Sequence, residues 1–233
     1  MPTISKNTIH RLAKDIKELK QAPLHDHGIY YTHDQEDILS GQALIIGRED
    51  TPYAYGNYLF EFRFPPEYPF KPPVLKYKTN DGTTRFNPNL YRNEKVCLSI
   101  LNTWRGDSWT SCQTISTVLL NLCMVLNDNP LLNEPGITDK HPDINAYNNI
   151  ISYKNVEIAI VRMLMSSHIK HEYQELYEAM KSNFLLNKEK IIENLKKLRT
   201  LDKTTLSTTI YNQNIYVDIE NLLLVLININ LQN

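Results

Sequence analysis

Cysteine and glycine are scarce in this chain, and neither sign of charge dominates it. Three cysteines, Cys97, Cys112 and Cys123, are spread over 233 residues. An odd number without paired spacing argues against a disulfide framework and predicts a reducing, intracellular compartment, cytoplasmic or nuclear. Neither CxxC nor HxxxH spacing occurs, so no metal centre is expected. The seven glycines make no Gly-rich phosphate loop, so no nucleotide site or other cofactor is expected. Lysine and arginine number 25 against 26 acidic residues, for a net charge of -1. No global field therefore draws this chain to nucleic acid. Long hydrophobic runs are missing too. The most apolar, residues 222–227, is far too short to cross a bilayer. The opening Met1-Pro2-Thr3-Ile4-Ser5-Lys6 has no apolar signal segment. A membrane is not an expected partner.

What is present is a globular composition, 42% apolar, in a chain long enough to bury a core without disulfides or metal. No internal repeat is visible. Ile9, Leu12, Ile16 and Leu19 recur at three- and four-residue spacing, which predicts a helix ending near Ala22-Pro23. Its other face carries Arg11, Lys14 and Lys17, which as a bare pattern is a solvated helix face. Strands are predicted at 29–32, 41–47, 57–64 and 74–77. The third is the clearest: Tyr58, Phe60, Phe62 and Phe64 alternate with Leu59, Glu61 and Arg63, as suits an antiparallel sheet with one face packed. Prolines between the third and fourth strands fix a rigid connection. Periodicity vanishes from 79 to 109, and a long irregular stretch in a compact domain is usually functional. Helices are then predicted at 113–126, 144–153, 156–180 and 188–198, with a polar break at Ser182-Asn183. A Thr/Ser-rich stretch from 204 leads to an apolar helix or strand over 216–231. The class is α+β.

Within the irregular stretch one thiol stands out. Cys97 follows an Asn87-Pro88-Asn89 turn and precedes Leu98-Ser99-Ile100-Leu101. Tyr68-Pro69-Phe70-Lys71-Pro72-Pro73 lies upstream and Trp109 downstream. A thiol framed in this way reads as a group-carrying nucleophile. The plainer fate of cysteine, a small buried hydrophobe, is preferred for Cys112 and Cys123.

These motifs, in this order and at nearly this spacing, resemble those of the ubiquitin-conjugating enzymes, the E2 family, over roughly residues 5–180. The longer loop 101–109 and the run Asn129-Pro130-Leu131-Leu132-Asn133-Glu134-Pro135-Gly136 resemble a subgroup of larger E2s with helical C-terminal extensions. The resemblance implies a UBC fold: an N-terminal helix, a four-stranded antiparallel sheet, an active-site loop and C-terminal helices. It implies a core domain over 1–180. A helical extension over 181–233 is expected to pack on that core and to affect partner choice rather than thioester chemistry.

The resemblance also implies roles. Cys97 would accept the C-terminal carbonyl of ubiquitin from an E1 activating enzyme as a thioester and pass it to a lysine amine or to an E3 ligase. No histidine of the motif stands ready as its base, which fits transthiolation, where the thiolate itself attacks a thioester. Asn89 would donate to the oxyanion of aminolysis, a contribution of roughly 3–4 kcal/mol, or else brace its loop. Asn87 stands where the family most often has a histidine and would support the turn through its amide. Glu134, with Asn133 as the alternative, would orient the incoming lysine at the entrance; a solvated loop carboxylate is the plainer reading of Glu134. Ser99 occupies a position where several E2s carry an acid. Arg11, Lys14 and Lys17 would meet E1 and E3; Phe70, Trp109, Thr110 and Ser111 would meet E3, although the usual proline after the tryptophan is missing. A plug for the sheet is an equal reading of Phe70. Other readings are an inactive E2-like ubiquitin-binding module, an E2 for another ubiquitin-like modifier and, last, a cysteine hydrolase. The hydrolase would need a base that His141, His168 and His171 do not supply in any motif.

Overall fold

The computed structural model describes residues 4–231. Residues 1–3, part of the stretch read for a signal segment, and residues 232–233, the end of the tail, lie outside the described residues. Helix α1 (Lys6–Gln21) starts where the Ser5 hydroxyl accepts the Thr8 N–H, an N-cap that satisfies one orphan donor of the first turn. It lies against a four-stranded antiparallel sheet, β1 (Ile29–His33), β2 (Ser40–Ile46), β3 (Asn57–Arg63) and β4 (Val74–Tyr77), paired in sequence order. Helix α2 (Ile115–Val125), opened by a Thr114/Thr117 capping box, covers the same face. This is the expected UBC arrangement. The buried face of α1 is rotated from the expected one. Thr8, Leu12, Asp15 and Leu19 point inward and Ile9 is exposed, because Thr8 and Asp15 find hydrogen-bond partners in Pro66, Tyr68 and Arg11.

The main core joins Leu12 and Leu19 of α1, Ile115, Val118, Leu119 and Leu122 of α2, and Ala43, Ile45, Tyr58, Phe60 and Phe62 of the sheet. The expectation of one packed sheet face needs correction. Leu44 and Leu59 point the other way into a second core, built by residues from Tyr153 to Ile229. An apolar residue at both phases of β3 requires cover on both faces.

That cover comes from the C-terminal half. Helix α3 (Ile144–Lys154) runs without a break into a wider-wound π-helical segment, Asn155–Arg162, and then α4 (Met163–Met165). The break expected near residue 155 is absent. Asn155 keeps its helical backbone and spends its side chain on the Tyr58 hydroxyl and the Ala54 carbonyl. A Cβ at Gly56 would meet Asn155 Oδ1 at 1.8 Å, so only glycine allows this approach. The true interruption is Ser166, whose hydroxyl caps α5 (Ser167–Glu172). Helix α6 (Gln174–Lys196) follows and passes straight through Ser182 and Asn183. Ser182 faces solvent, and Asn183 donates to the Tyr55 carbonyl, so neither polar residue stops the helix.

The extension is not purely helical. A hairpin of β5 (Thr204–Thr208) and β6 (Gln213–Val217) precedes α7 (Ile219–Asn228). The Thr-rich run alternates as a strand, and Thr, Ile, Tyr and Val suit that state. Helix α6 also runs unbroken through 180–181, the position taken above as a domain boundary. Among the described residues no helix is long and apolar enough to cross a membrane, and no cluster of histidine, cysteine and carboxylates is shaped for a metal.

Candidate active site

The loop after β4 is pinned from Phe86 onward. The Tyr53 hydroxyl donates to the Phe86 carbonyl at 2.7 Å. Asn87, fully buried, has every valence used. Its Nδ2 donates to the Tyr53 hydroxyl at 2.8 Å and the Val125 carbonyl at 2.7 Å. Its Oδ1 accepts from the Asn89 N–H at 2.9 Å and from Asn133 Nδ2 at 3.3 Å. An Asn that bonds the backbone two residues on makes an Asx turn, and here it also ties the turn to the end of α2.

The chain then doubles back. Tyr91 N–H donates to the Lys95 carbonyl, Glu94 takes a left-handed φ of 70°, and Leu90 bridges Val96. This small reversal is the reason an Asn eight residues before Cys97 is its neighbour in space. Cys97 N–H donates to the Asn89 carbonyl at 2.9 Å, and Asn89 Nδ2 donates to the Cys97 carbonyl at 2.7 Å. Asn89 Oδ1 is buried with no hydrogen-bond partner among the described residues. The Asn89 amide thus braces the cysteine backbone in the resting state and keeps one N–H in hand.

Cys97 itself is 2% exposed. The plain fate of a buried hydrophobe, assigned above to the other two cysteines, needs correcting for Cys112, which is exposed, while Cys123 is half-buried. Burial pushes the Cys123 thiol up from its ordinary value. After Cys97 a short turn, Ser99–Leu101, ends at Asn102 with φ 57°. Asn102 Oδ1 accepts the Trp109 N–H, and Thr103 Oγ1 accepts the Leu98 N–H.

Arg85 holds the other side of the turn and gave no sequence signal. It is 8% exposed. Its Nε and a terminal nitrogen donate to the carbonyls of Asn87 and Pro88. The guanidinium lies between the rings of Tyr91 at 3.4 Å and Tyr211 at 4.8 Å. Stacking with a fixed fork of donors is what Arg provides and Lys does not. The Arg85 carbonyl accepts from Tyr147 of α3, and its N–H donates to Gln213 of β6. The extension therefore reaches the active-site loop directly. Tyr211 and Gln213 lie too far along the chain for any local pattern to have linked them to Cys97.

Glu134 is half-buried at the edge of this region and accepts a hydrogen bond from the Tyr211 hydroxyl. Asn133, its alternative, is committed elsewhere. It donates to Asn87 Oδ1 and the Val125 carbonyl and accepts from Asn127. It serves as a brace in this arrangement and not as a free group for a lysine.

The residues expected to meet partners divide in two. Lys14, Lys17, Phe70, Thr110 and Ser111 are exposed, Phe70 at 73%. Phe70 therefore does not plug the sheet. Arg11 and Trp109 do not belong with them. Arg11 is drawn inward to Asp15, to the Ser111 and Gln113 carbonyls, and over the Tyr68 ring. Burial works against its charge, but the Asp15 carboxylate outweighs that and holds the guanidinium above its ordinary value. Trp109 is 8% exposed, packs on Tyr68, and donates its indole N–H to the Pro69 carbonyl. A buried indole needs such a partner, and this one clamps the loop to the Pro-rich run. Arg11 and Trp109 thus join α1, the Pro-rich run and the loop 110–113 from within.

Residues 11–154, more than half of the chain, match the family model described as ubiquitin-conjugating enzyme. The chain is 41% identical to ubiquitin-conjugating enzyme E2 Z of Danio rerio over 184 residues, covering 78% of this chain and 55% of that protein. It is 43% identical to the Homo sapiens protein of the same name over 157 residues, 66% of this chain and 44% of that one. It is 35% identical over 172 residues, 70% of this chain, to 4% of the human dual E2 ubiquitin-conjugating enzyme/E3 ubiquitin-protein ligase BIRC6. The chain spans about half the length of the E2 Z relatives. With its thiol loop set on a four-stranded sheet and its core matched from α1 to the end of α3, this chain belongs to the ubiquitin-conjugating enzyme family.

Proposed function

We propose that this chain is an E2 that takes ubiquitin from an E1 enzyme onto Cys97 and passes it to a lysine amine or to an E3. The reciprocal pair of hydrogen bonds between Asn89 and Cys97 carries this reading. It fixes a side-chain N–H donor beside the backbone of the thiol that would bear the thioester.

In charging, the Cys97 thiolate attacks the thioester carbonyl on E1. A new C–S bond forms, the old one breaks, and the E1 thiolate leaves. In discharge, the substrate amine attacks the Cys97 thioester carbonyl. The tetrahedral oxyanion accepts from Asn89, the C–S bond breaks, Cys97 leaves as thiolate, and the amine proton passes to Glu134 or water. Tyr211 and Arg85 shape the rim of this site, while Lys14, Lys17, Phe70, Thr110 and Ser111 offer the exposed surface for E1 and E3.

The test is a charging assay with E1, ubiquitin and Mg-ATP, resolved on non-reducing gels. A ubiquitin-sized shift that thiol removes, and that Cys97→Ser abolishes or converts to a thiol-resistant ester, is expected. No shift with ubiquitin overturns the reading. A shift obtained only with another ubiquitin-like modifier would reassign the cargo.

A further inference from the structure

The turn of the β5–β6 hairpin does not project into solvent; it is seated against the active-site loop. Tyr211 and Asn212 both adopt left-handed φ angles, 62° and 51°. That conformation is uncommon for residues other than glycine, and for a bulky aromatic it marks a conformation imposed by its surroundings. The surroundings are specific. Asp143, at the start of α3, accepts from the Thr209 hydroxyl and the Ile210 N–H at 2.7 and 2.8 Å. The Tyr211 carbonyl accepts from Arg92 at 2.8 Å. Gln213, 3% exposed, accepts the Arg85 N–H at 2.7 Å. With its backbone held on both sides, Tyr211 lays its ring over Arg85 and aims its hydroxyl at the Glu134 carboxylate.

We propose that Tyr211 is a positioning residue for the acceptor step: its hydroxyl holds one oxygen of Glu134, so that the carboxylate is oriented to receive the incoming amine. This rests on the reading of the chain as an E2. The extension then contributes to discharge chemistry and not only to partner choice.

The donor is fixed in kind as well as in place. Burial, and then the bond to Glu134, push the Tyr211 hydroxyl well above its ordinary value, so it remains a donor at every working pH. The ionised carboxylate is the form that binds an ammonium and accepts its proton. The other charged and titratable groups around the pair are Tyr53 between β2 and β3, Arg85, Tyr91 and Arg92 of the active-site loop, Asp143 just before α3 and Tyr147 within it. None of them changes when only the Tyr211 hydroxyl is deleted.

The experiment uses full-length Tyr211→Phe, which retains the ring over Arg85 and loses the donor. Discharge to free lysine is followed from preformed thioester near neutral pH, so charging efficiency does not enter. The expected result is discharge slowed about 10-fold near neutral pH, within the range of general-base effects. In a Glu134→Gln background the same substitution should have no further effect. A wild-type discharge rate overturns the proposal. So does equal slowing in the Glu134→Gln background, since that marks a purely structural brace. Failure of the wild-type protein to form any thioester is a separate result and sinks the E2 reading itself.

Discussion

The Asn87 amide donates to the Tyr53 hydroxyl at 2.8 Å, and that hydroxyl donates onward to the Phe86 carbonyl at 2.7 Å. A tyrosine between β2 and β3 thereby fixes the turn that precedes the thiol. Tyr53→Phe removes both bonds within a fully buried site. Leaving buried polar groups unpaired costs about 1–3 kcal/mol, which for a chain of this size lowers Tm by about 2–12 °C. Calorimetry checks this; an unchanged Tm would mean that water or a shifted partner replaces the hydroxyl.

Asn89→Ala separates brace from catalyst. If the amide serves the oxyanion, discharge to lysine should fall about 10²–10³-fold with charging reduced far less. Single-turnover rates for the two steps decide it. Equal losses in both would assign Asn89 to the backbone of Cys97 alone, the contact it makes in the resting structure.

The three thiols should differ in reactivity. Cys112 is exposed, Cys123 half-buried and Cys97 buried. Access governs alkylation as much as thiolate fraction does. Brief iodoacetamide treatment of the uncharged protein, read by peptide mass mapping, should label Cys112 first and Cys97 last. Labelling that starts at Cys97 would show that its cover opens readily.

Asp143 makes the docking of the hairpin pH-dependent. Burial raises its pKa, but the Ile210 and Thr209 donors, aided by His141, outweigh that and hold the carboxyl below its ordinary value. A depressed carboxylate stabilises the fold fully above its unfolded value of about 3.9 and loses that contribution as pH falls through the lower folded value. Asp143→Asn should therefore cost about 1–2 kcal/mol at pH 7, as charge-assisted bonds become neutral ones. The gap between the two proteins should close below about pH 4. Thermal unfolding at pH 7, 5, 4 and 3 reads it, and a gap that widens on acidification contradicts the assignment.

Truncation after Met180 should yield no folded protein. The cut falls inside α6 and removes Phe184, Ile191, Ile192, Leu195, Leu222 and Leu226 from the second core. At about 1.5–3 kcal/mol per buried side chain, that loss rivals the whole stability of a typical domain, about 5–15 kcal/mol. Circular dichroism and solubility test it. A soluble, cooperatively unfolding fragment would make the extension an appendage after all.

The contrast between what was legible and what was not follows from range. The strands were readable because alternation in β3 and prolines at its end are local signals. The Cys97 loop was readable because its motif is contiguous. Rotation of α1 was not, since Thr8 and Asp15 are buried only by virtue of Pro66, Tyr68 and Arg11. The uninterrupted α6 depends on a carbonyl of Tyr55 that Asn183 meets only in the folded state. Arg85 and Tyr211 share no local pattern at all, and their stacking is a product of tertiary structure. Leu59 was a signal in plain view: an apolar residue on the face assumed to be wet.

The second core also sets an order of events during synthesis. Leu44 and Leu59 belong to the same cluster as Leu222, Leu223 and Leu226 of α7. A chain emerging from the ribosome displays β2 and β3 early, with one face bare. That face is not fully covered until α7 has left the exit tunnel, so the nascent sheet passes through a long interval as an adhesive surface. Chaperone dependence in the cell, more than stability in the tube, is where this architecture should first be felt.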